Sequence, residues 1–113
     1  MHEMSLTQSV VEIALDEARK AGARRVTRIA LDIGRLSAVV PEAMRFCFDA
    51  IAAGTAAEGA ALDISELPGA GWCLDCGKTV EIEERFGPCP DCGQYHVQMT
   101  AGDEMKIREL EVV

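Results

Sequence analysis

The chain has 113 residues, the size of one ordinary domain, and 49% of them are hydrophobic whereas only 4% are aromatic. A core of this composition must rely on Val, Ile, Leu, Met and Ala side chains. The formal net charge of −8 repels phosphate. The composition therefore argues against nucleic-acid binding and favours cations or basic protein surfaces as partners.

Targeting signals and cysteine usage indicate the compartment. No run of about 18 apolar residues predicts a membrane span, and the segment MHEMSLTQSV lacks the basic and apolar regions of a secretory signal. We therefore expect a cytoplasmic protein without a membrane partner. Because thiols stay reduced in the cytoplasm, metal binding explains five cysteines better than a disulfide framework does.

Apolar periodicity predicts two helices in the first half of the chain. Ser5 and Gln8 have the spacing of a capping box, which places the start of the first helix at Ser5 and leaves 1–4 outside it. Gly22 is expected to end this helix. Its apolar positions are Leu6, Val10, Ile13 and Ala14. Pro41 suits the first turn of a second helix. The apolar side of that helix carries Met44, Cys47, Phe48 and Ile51.

Alternation of apolar and polar residues predicts three strands. The first covers 25–33, with one buried face, and ends at Gly34. Its buried face carries Ile29, Leu31 and Ile33. The second strand contains 62–65, and the segment 68–71 breaks it. The third covers 105–113, where the apolar phase slips between Ile107 and Leu110 as a bulge would produce, and it should return to the first sheet.

This order of elements predicts an α+β fold, with a small sheet of about three strands and two helices. The cysteine-rich segment 71–98 is then an insertion between two strands of that sheet, in the form of a zinc-ribbon-like module. Residues 1–70 together with 99–113 form the main domain.

Two C-x-x-C pairs, separated by 12 residues, dominate the inserted segment. Their four cysteines are Cys73, Cys76, Cys89 and Cys92. Each pair can direct two thiolates inward from a tight turn, so two turns complete a tetrahedron around one metal ion. Gly77 and Gly93 follow the second cysteine of each pair, where a knuckle turn often needs a positive φ.

The alternatives for these cysteines are two structural disulfides or a dithiol redox centre. A closed metal site is favoured, and it would mask the thiolates that redox chemistry needs. Zinc is favoured over iron because zinc is the more available metal, although tetrahedral sulfur ligation suits both metals. Such a site is structural, because it leaves no open position for substrate or water. The fifth cysteine, Cys47, is predicted to be a small core residue.

The N-terminus offers a different set of ligands. The Met1 amine, neighbouring backbone amides and the His2 imidazole form a nitrogen-rich set that favours nickel or copper(II). Glu3 can add an oxygen ligand or accept a hydrogen bond from His2. Amine and imidazole must lose protons to bind metal, so affinity should fall as the pH drops through roughly 6.5 to 8. A histidine near a terminus is, however, more often simply solvated.

The segments MHEMSL, ALDIGRLSAVVPEAMRFCFDAI, WCLDCG, CPDCG and GDEMKIREL, in this order, resemble the HypA/HybF family of hydrogenase nickel-incorporation proteins. The resemblance covers essentially the whole chain. It implies a nickel-binding α/β domain, formed by 1–70 together with 99–113, and an inserted zinc-binding domain formed by 71–98. It implies that His2 binds nickel, with Met1 and Glu3 contributing, and that the four cysteines bind a structural Zn²⁺.

The same resemblance implies a metallochaperone and not an enzyme. Its cargo, Ni²⁺, would be delivered to the large subunit of a nickel-iron hydrogenase with a HypB-type GTPase, and assembly as a homodimer stays open. One rival is a zinc-ribbon module for protein interaction or nucleic-acid binding without a nickel role, and another is a dithiol oxidoreductase. Charge argues against nucleic acid, and no nucleophile-base pair or phosphate-binding glycine loop indicates other catalysis.

One departure from the family pattern concerns the nickel site. Many similar proteins have an acidic residue before the proline of the second helix, where this sequence has Val40, so Glu42 becomes a substitute candidate. His96 is a further candidate nickel ligand, against the simpler interpretation as a partly exposed strand residue.

The basic run Arg19, Lys20, Arg24, Arg25 and Arg28 is interpreted as helix-end and solvated charge, or alternatively as a docking patch for an acidic partner.

Overall fold

The computed structural model describes residues 2–113, and of His2 the backbone. The helices and strands in this range are α1 (His2–Lys20), β1 (Val26–Gly34), α2 (Pro41–Ala52), β2 (Ala61–Leu67), β3 (Gly69–Cys73), β4 (Lys78–Ile82), β5 (Val97–Ala101) and β6 (Met105–Val112). The strands form two three-stranded sheets, in the orders β2-β1-β6 and β4-β3-β5. The fold is therefore α+β, as the sequence predicts.

The chain divides into two compact units. The first comprises residues up to Leu31, Val39–Ser65 and Lys106–Val113, and the second comprises Asp32–Ala38 and Glu66–Met105. The second unit contains all four cysteines of the C-x-x-C pairs. No helix of the described residues is long and apolar enough to cross a membrane.

Helix α1 begins at His2, so the prediction of a start at Ser5 is wrong. The buried Thr7 hydroxyl donates to the Glu3 carbonyl at 2.5 Å, within the first turns of this helix. The acidic Glu3 also lies in the first turn, where the helix dipole favours negative charge. The capping-box spacing at Ser5 is therefore not used as a helix start.

The buried side of α1 agrees with the prediction at Val10 and Ala14 but not at Ile13. It consists of Thr7, Val10, Val11, Ala14 and Ala18. Ile13 is 49% exposed, so its assignment to the buried stripe is wrong. Helix α1 packs against α2, and small side chains such as Ala14 and Ala18 allow two helices to approach closely.

Helix α2 follows its prediction except at Ile51, which is only half-buried. Pro41 occupies its first turn, and its buried residues are Met44, Cys47, Phe48 and Ala52. Cys47 is therefore a core residue of this helix, as its place on the apolar stripe predicts.

Strand β1 is the central strand of the first sheet, and β6 returns to pair beside it, as predicted. Every residue from Ile29 to Gly34 is buried, so the predicted alternation is wrong in that half of the strand. A strand covered on both faces has no solvent-facing positions, which removes the alternation. In β6, the adjacent residues Arg108 and Glu109 are both exposed, which confirms the predicted phase slip.

Strand β2 ends at Leu67, so the segment 68–71 ends the second strand as predicted, but a new strand, β3, begins at Gly69 and pairs antiparallel with β4 and β5. A Cβ on Gly71 would lie 2.4 Å from Val97 Cγ1, so glycine is required there by close packing. The core of the second unit is small and consists of Leu36, Cys73, Val80, Ile82 and Cys89.

Most of the basic run is paired within the chain. Arg19 and Lys20 bind Asp16, and Arg25 donates to the Glu58 carbonyl. Arg28 on β1 binds a carboxylate on β2 and two on β6, namely Asp63, Glu109 and Glu111. The guanidinium of Arg28 lowers the pKa of Asp63 and of Glu109. These contacts favour a structural role over a docking patch.

Candidate metal centres

The first cysteine pair lies in a knuckle turn after β3. Cys73 is the last residue of that strand, and its carbonyl accepts from the Gly77 amide at 2.8 Å. The Cys76 amide donates to Cys73 Sγ at 3.4 Å. Gly77 has a φ of 65°, a left-handed conformation that glycine adopts at little cost. The turn therefore points both thiols to the same side.

The second pair repeats this construction. The Cys89 carbonyl accepts from the Gly93 amide at 2.8 Å, and the Asp91 amide donates to Cys89 Sγ at 3.4 Å. Gly93 has a φ of 76°. The chain thus forms two similar knuckles, as the placement of the two glycines predicts.

The two knuckles face each other. All four Sγ atoms lie within 4.8 Å of one another, with 3.7 Å between Cys73 and Cys92 and 3.9 Å between Cys76 and Cys89. A Zn–S bond of about 2.3 Å places the sulfur atoms of a tetrahedron about 3.8 Å apart. The spacing therefore fits a four-thiolate zinc site. All five cysteines are free, so the disulfide alternative is not supported.

Burial distinguishes the four thiols. Cys73 and Cys89 are buried within the core of the second unit, Cys76 is half-buried and Cys92 is exposed. The buried pair ties the cluster to Val80 and Ile82, so these ligands are also packing residues. Such a cluster closes around an ion and leaves it no open coordination position, which suits a structural site.

The hydrogen bonds around the thiols shift the pKa values of Cys76 and Cys89 in opposite directions. The hydrogen bond with Cys92 raises the pKa of the Cys76 thiol to about 12. The backbone amide of Cys92 lowers the pKa of Cys89 to about 7. A cation bound between the thiols would favour the thiolate form of its ligands.

Two ion pairs lie beside the knuckles. His96 Nδ1 is 2.7 Å from Asp75 Oδ2, and Lys78 Nζ is 2.5 Å from Asp91 Oδ2. His96 lies in the loop before β5, so the interpretation as a strand residue is wrong, although its side chain is largely exposed. The structure thus places His96 beside Asp75, within the second unit.

The predicted nickel ligands lie at the start of α1. Met1 and the side chain of His2 lie outside the described residues. Glu3 Oε2 accepts from the Val40 amide at 3.2 Å, which fixes the carboxylate against the residue before α2.

Position 40 is also the N-cap of α2. Val40 makes no side-chain cap hydrogen bond there. Glu42, the substitute candidate for a nickel ligand, has Oε1 3.6 Å from Arg45 Nε on the same helix. The contact between Glu3 and Val40 joins two segments that are distant in the sequence, and no local pattern predicts it.

The geometry defines a class of protein: an α+β unit with a helix that begins at the second residue, and a second unit built around a four-cysteine metal cluster. A family model described as "Hydrogenase/urease nickel incorporation, metallochaperone, hypA" matches residues 1–112. The chain belongs to this family, and the resemblance inferred from the sequence is confirmed.

Relatives agree over the full length. The chain is 59% identical over 113 residues to a hydrogenase maturation factor HypA from Rhizobium leguminosarum bv. viciae, with 100% of both chains covered. It is 51% identical over 112 residues to the HypA of Dechloromonas aromatica, with 99% of both covered. The solution structure of the Ni metallochaperone HypA from Helicobacter pylori has a TM-score of 0.68 and 26% identity, covering 98% of this chain and 97% of that one.

Proposed function

We propose that this chain is a metallochaperone that binds nickel at its N-terminus and delivers it during hydrogenase maturation. The observation that carries the proposal is the position of α1, which begins at His2 while Glu3 is bound to the Val40 amide. The Met1 amine, the neighbouring backbone amides and the His2 imidazole are consecutive in the chain and form a nitrogen-rich set that suits nickel. The family match favours this function over a zinc-ribbon module without a nickel role.

The proposed roles follow the two domains that the sequence predicts, whose bounds differ from those of the two compact units. His2 binds nickel together with Met1, and Glu3 contributes either an oxygen or an orienting hydrogen bond. In the zinc domain, 71–98, the ion is held by Cys73, Cys76, Cys89 and Cys92. The nickel domain consists of 1–70 and 99–113. His96 stays a weaker candidate for nickel, since its imidazole is engaged with Asp75.

Delivery requires an exchangeable site, and the two sites differ in this respect. The amine and imidazole lose protons when nickel binds, so acidification releases the cargo by competition. The cysteine cluster is closed, so zinc stays with the protein. We therefore propose transfer without a catalytic step.

The proposed partners follow from the chemistry of transfer and from the names of the relatives, which are hydrogenase maturation factors. The recipient is the large subunit of a nickel-iron hydrogenase, and a HypB-type GTPase assists the transfer. A homodimer is a further proposed assembly. We place the activity in the cytoplasm, because the cysteine cluster needs a reducing compartment.

Calorimetric nickel titration of zinc-loaded protein with its native N-terminus tests the proposal. We expect one nickel site per chain, weakened at least about 100-fold in His2→Ala, since an imidazole and its chelate ring are lost together. The chain has 2 histidines, so His96→Ala tests the weaker candidate in the same experiment, and we expect it to bind nickel as the parent does because Asp75 engages its imidazole. Zinc content should stay the same in all three proteins.

A second variant tests the terminal amine. Two residues added before Met1 keep the His2 side chain but move the amine away, and they should weaken nickel binding about as strongly as His2→Ala does. Equal nickel binding by the parent, His2→Ala and the extended chain would contradict the N-terminal assignment.

A further inference from the structure

Negative charge is concentrated in the second unit. This unit carries nine acidic and three basic side chains, a formal charge of −6, so the rest of the chain contributes −2 of the total of −8. A surface of one sign attracts partners of the other sign and speeds their association. The second unit is thus the part of the chain best suited to a basic partner.

Much of this charge surrounds one groove. The groove has a volume of about 420 Å³, and its walls include three acidic side chains and three apolar ones. We name it the acidic groove, and it is lined by Glu81, Glu83, Glu84, Ile82, Pro88 and Pro90. The side chains of its three glutamates are exposed. An apolar floor with a charged rim is typical of sites that bind protein segments.

The nearby cations do not neutralise the rim. Lys78 binds Asp91, and Arg85 binds Asp103 and the Leu36 carbonyl. Over residues 2–113, none of the rim glutamates forms an ion pair through its carboxylate. The rim therefore presents three carboxylates that a cationic partner can bind.

The groove also runs along a sheet edge. Strand β4, which carries Glu81 and Ile82, is an edge strand in the order β4-β3-β5. Alternate residues of an edge strand direct their N–H and C=O groups away from the sheet, where an extended peptide can pair with them. Pro88 and Pro90 also line the groove. Because proline has no amide hydrogen, these residues donate no backbone hydrogen bond to this edge.

We propose that the acidic groove binds an extended, lysine- or arginine-rich segment of a partner protein, which adds to the edge of β4 as a further strand. Main-chain hydrogen bonds to β4 would provide affinity, and the glutamate rim would select positive side chains. Nucleic acid is excluded by its charge. A second copy of this chain is a poor occupant, because its formal net charge of −8 repels the glutamate rim. This proposal does not depend on nickel.

The probe is a ten-residue peptide of alternating lysine and valine, titrated into zinc-loaded, ¹⁵N-labelled protein. We expect amide shifts concentrated on β4 and 81–84. A peptide with glutamate in place of lysine should show no binding. N-methylation along one edge of the peptide should weaken binding about tenfold, because the strand loses its hydrogen bonds. Equal binding by the N-methylated peptide, or shifts centred on another surface, would overturn strand addition at this groove.

A pair of charge variants tests the rim. Glu83→Gln/Glu84→Gln should weaken peptide binding about fivefold, the effect of two exposed ion pairs. Glu12→Gln/Asp49→Asn removes the same charge from exposed positions in the first unit and should change binding less than about twofold. Similar weakening by both variants would mean that net charge, and not the glutamates of the rim, determines peptide binding. That result would overturn the proposal. The His2→Ala variant should bind the peptide normally, so failure of the nickel proposal is distinguishable from failure of this one.

Discussion

The two units are stabilised in different ways. The first contains a conventional apolar core, in which Ile29, Leu31 and Met44 are fully buried. The buried cluster of the second consists of five residues, of which two are metal-directed cysteines, Cys73 and Cys89. A core that small rarely stabilises a fold by itself, and a structural metal compensates for the missing apolar burial. The cysteine cluster therefore contributes to folding as well as forming a proposed metal site.

The two proposed metal sites differ in the same way. The cysteine ligands come from two turns that the fold brings together, so an ion placed there is enclosed. The nickel ligands are consecutive residues at one end of a helix, and Glu3 links that end to Val40. A site of consecutive terminal residues can exchange its metal without unfolding the protein.

The largest expected effect separates the units by their dependence on metal. In Cys73→Ser, the second unit should lose zinc and its sheet, because structural zinc contributes about 10–16 kcal/mol in small zinc peptides. The helices of the first unit should persist. Metal content and ¹H–¹⁵N spectra measure both outcomes. Cys47→Ala is the control, since Cys47 lies in α2 outside the cluster, and it should retain zinc. A folded β4-β3-β5 sheet in zinc-free Cys73→Ser would contradict this account.

The next effect concerns the apolar core of the first unit. Met44 is 0% exposed, so Met44→Ala should lower the free energy of unfolding of this unit by about 2–5 kcal/mol. Urea denaturation followed by helical circular dichroism measures the change. Phe46 lies on the same helix but is 79% exposed, and Phe46→Ala should change stability by less than about 0.5 kcal/mol. Chelation of zinc should leave the difference in unfolding free energy between Met44→Ala and Phe46→Ala unchanged. Loss of that difference would mean that the two units are not stabilised separately.

The sequence predicts the features that depend on local chemistry. The knuckles follow from cysteine and glycine spacing, and α2 follows from Pro41 and its apolar stripe. The phase slip in β6 is visible in the positions of Ile107 and Leu110. Each of these signals lies within a few neighbouring residues, so tertiary packing does not reverse it.

The errors arise where tertiary contacts decide. Strand β1 loses its alternation because it is central and buried on both faces. The helix start moves from Ser5 to His2, and Ile13 turns outward as α1 packs against α2. Gly69 and Gly71 lie in a strand and do not mark a turn, since neighbouring groups leave no space there for a Cβ. A local pattern contains none of this information.

A smaller effect is expected at position 40. Val40→Asp supplies the side-chain cap that α2 lacks, which should stabilise the first unit by about 0.5–2 kcal/mol. It also places a carboxylate beside Glu3, so nickel affinity should rise. Val40→Asn supplies a cap without charge and should raise stability alone. Thermal denaturation and nickel titration separate the two effects. Equal nickel affinity in the two variants would exclude a role for charge at this position.

The smallest effects on stability are expected at two exposed aromatic residues, one in each unit, and the two effects have opposite signs. Phe86 is 90% exposed and has a φ of 62°, a left-handed conformation that is strained for any residue with a Cβ. Phe86→Gly should therefore stabilise the second unit by about 0.5–1 kcal/mol, despite the extra entropy of glycine in the unfolded chain. Phe46→Gly, in the interior of α2, should destabilise the first unit by about 0.5–1 kcal/mol. Denaturation of zinc-loaded protein measures both changes. Destabilisation by both substitutions would mean that packing of the Phe86 ring outweighs its backbone strain.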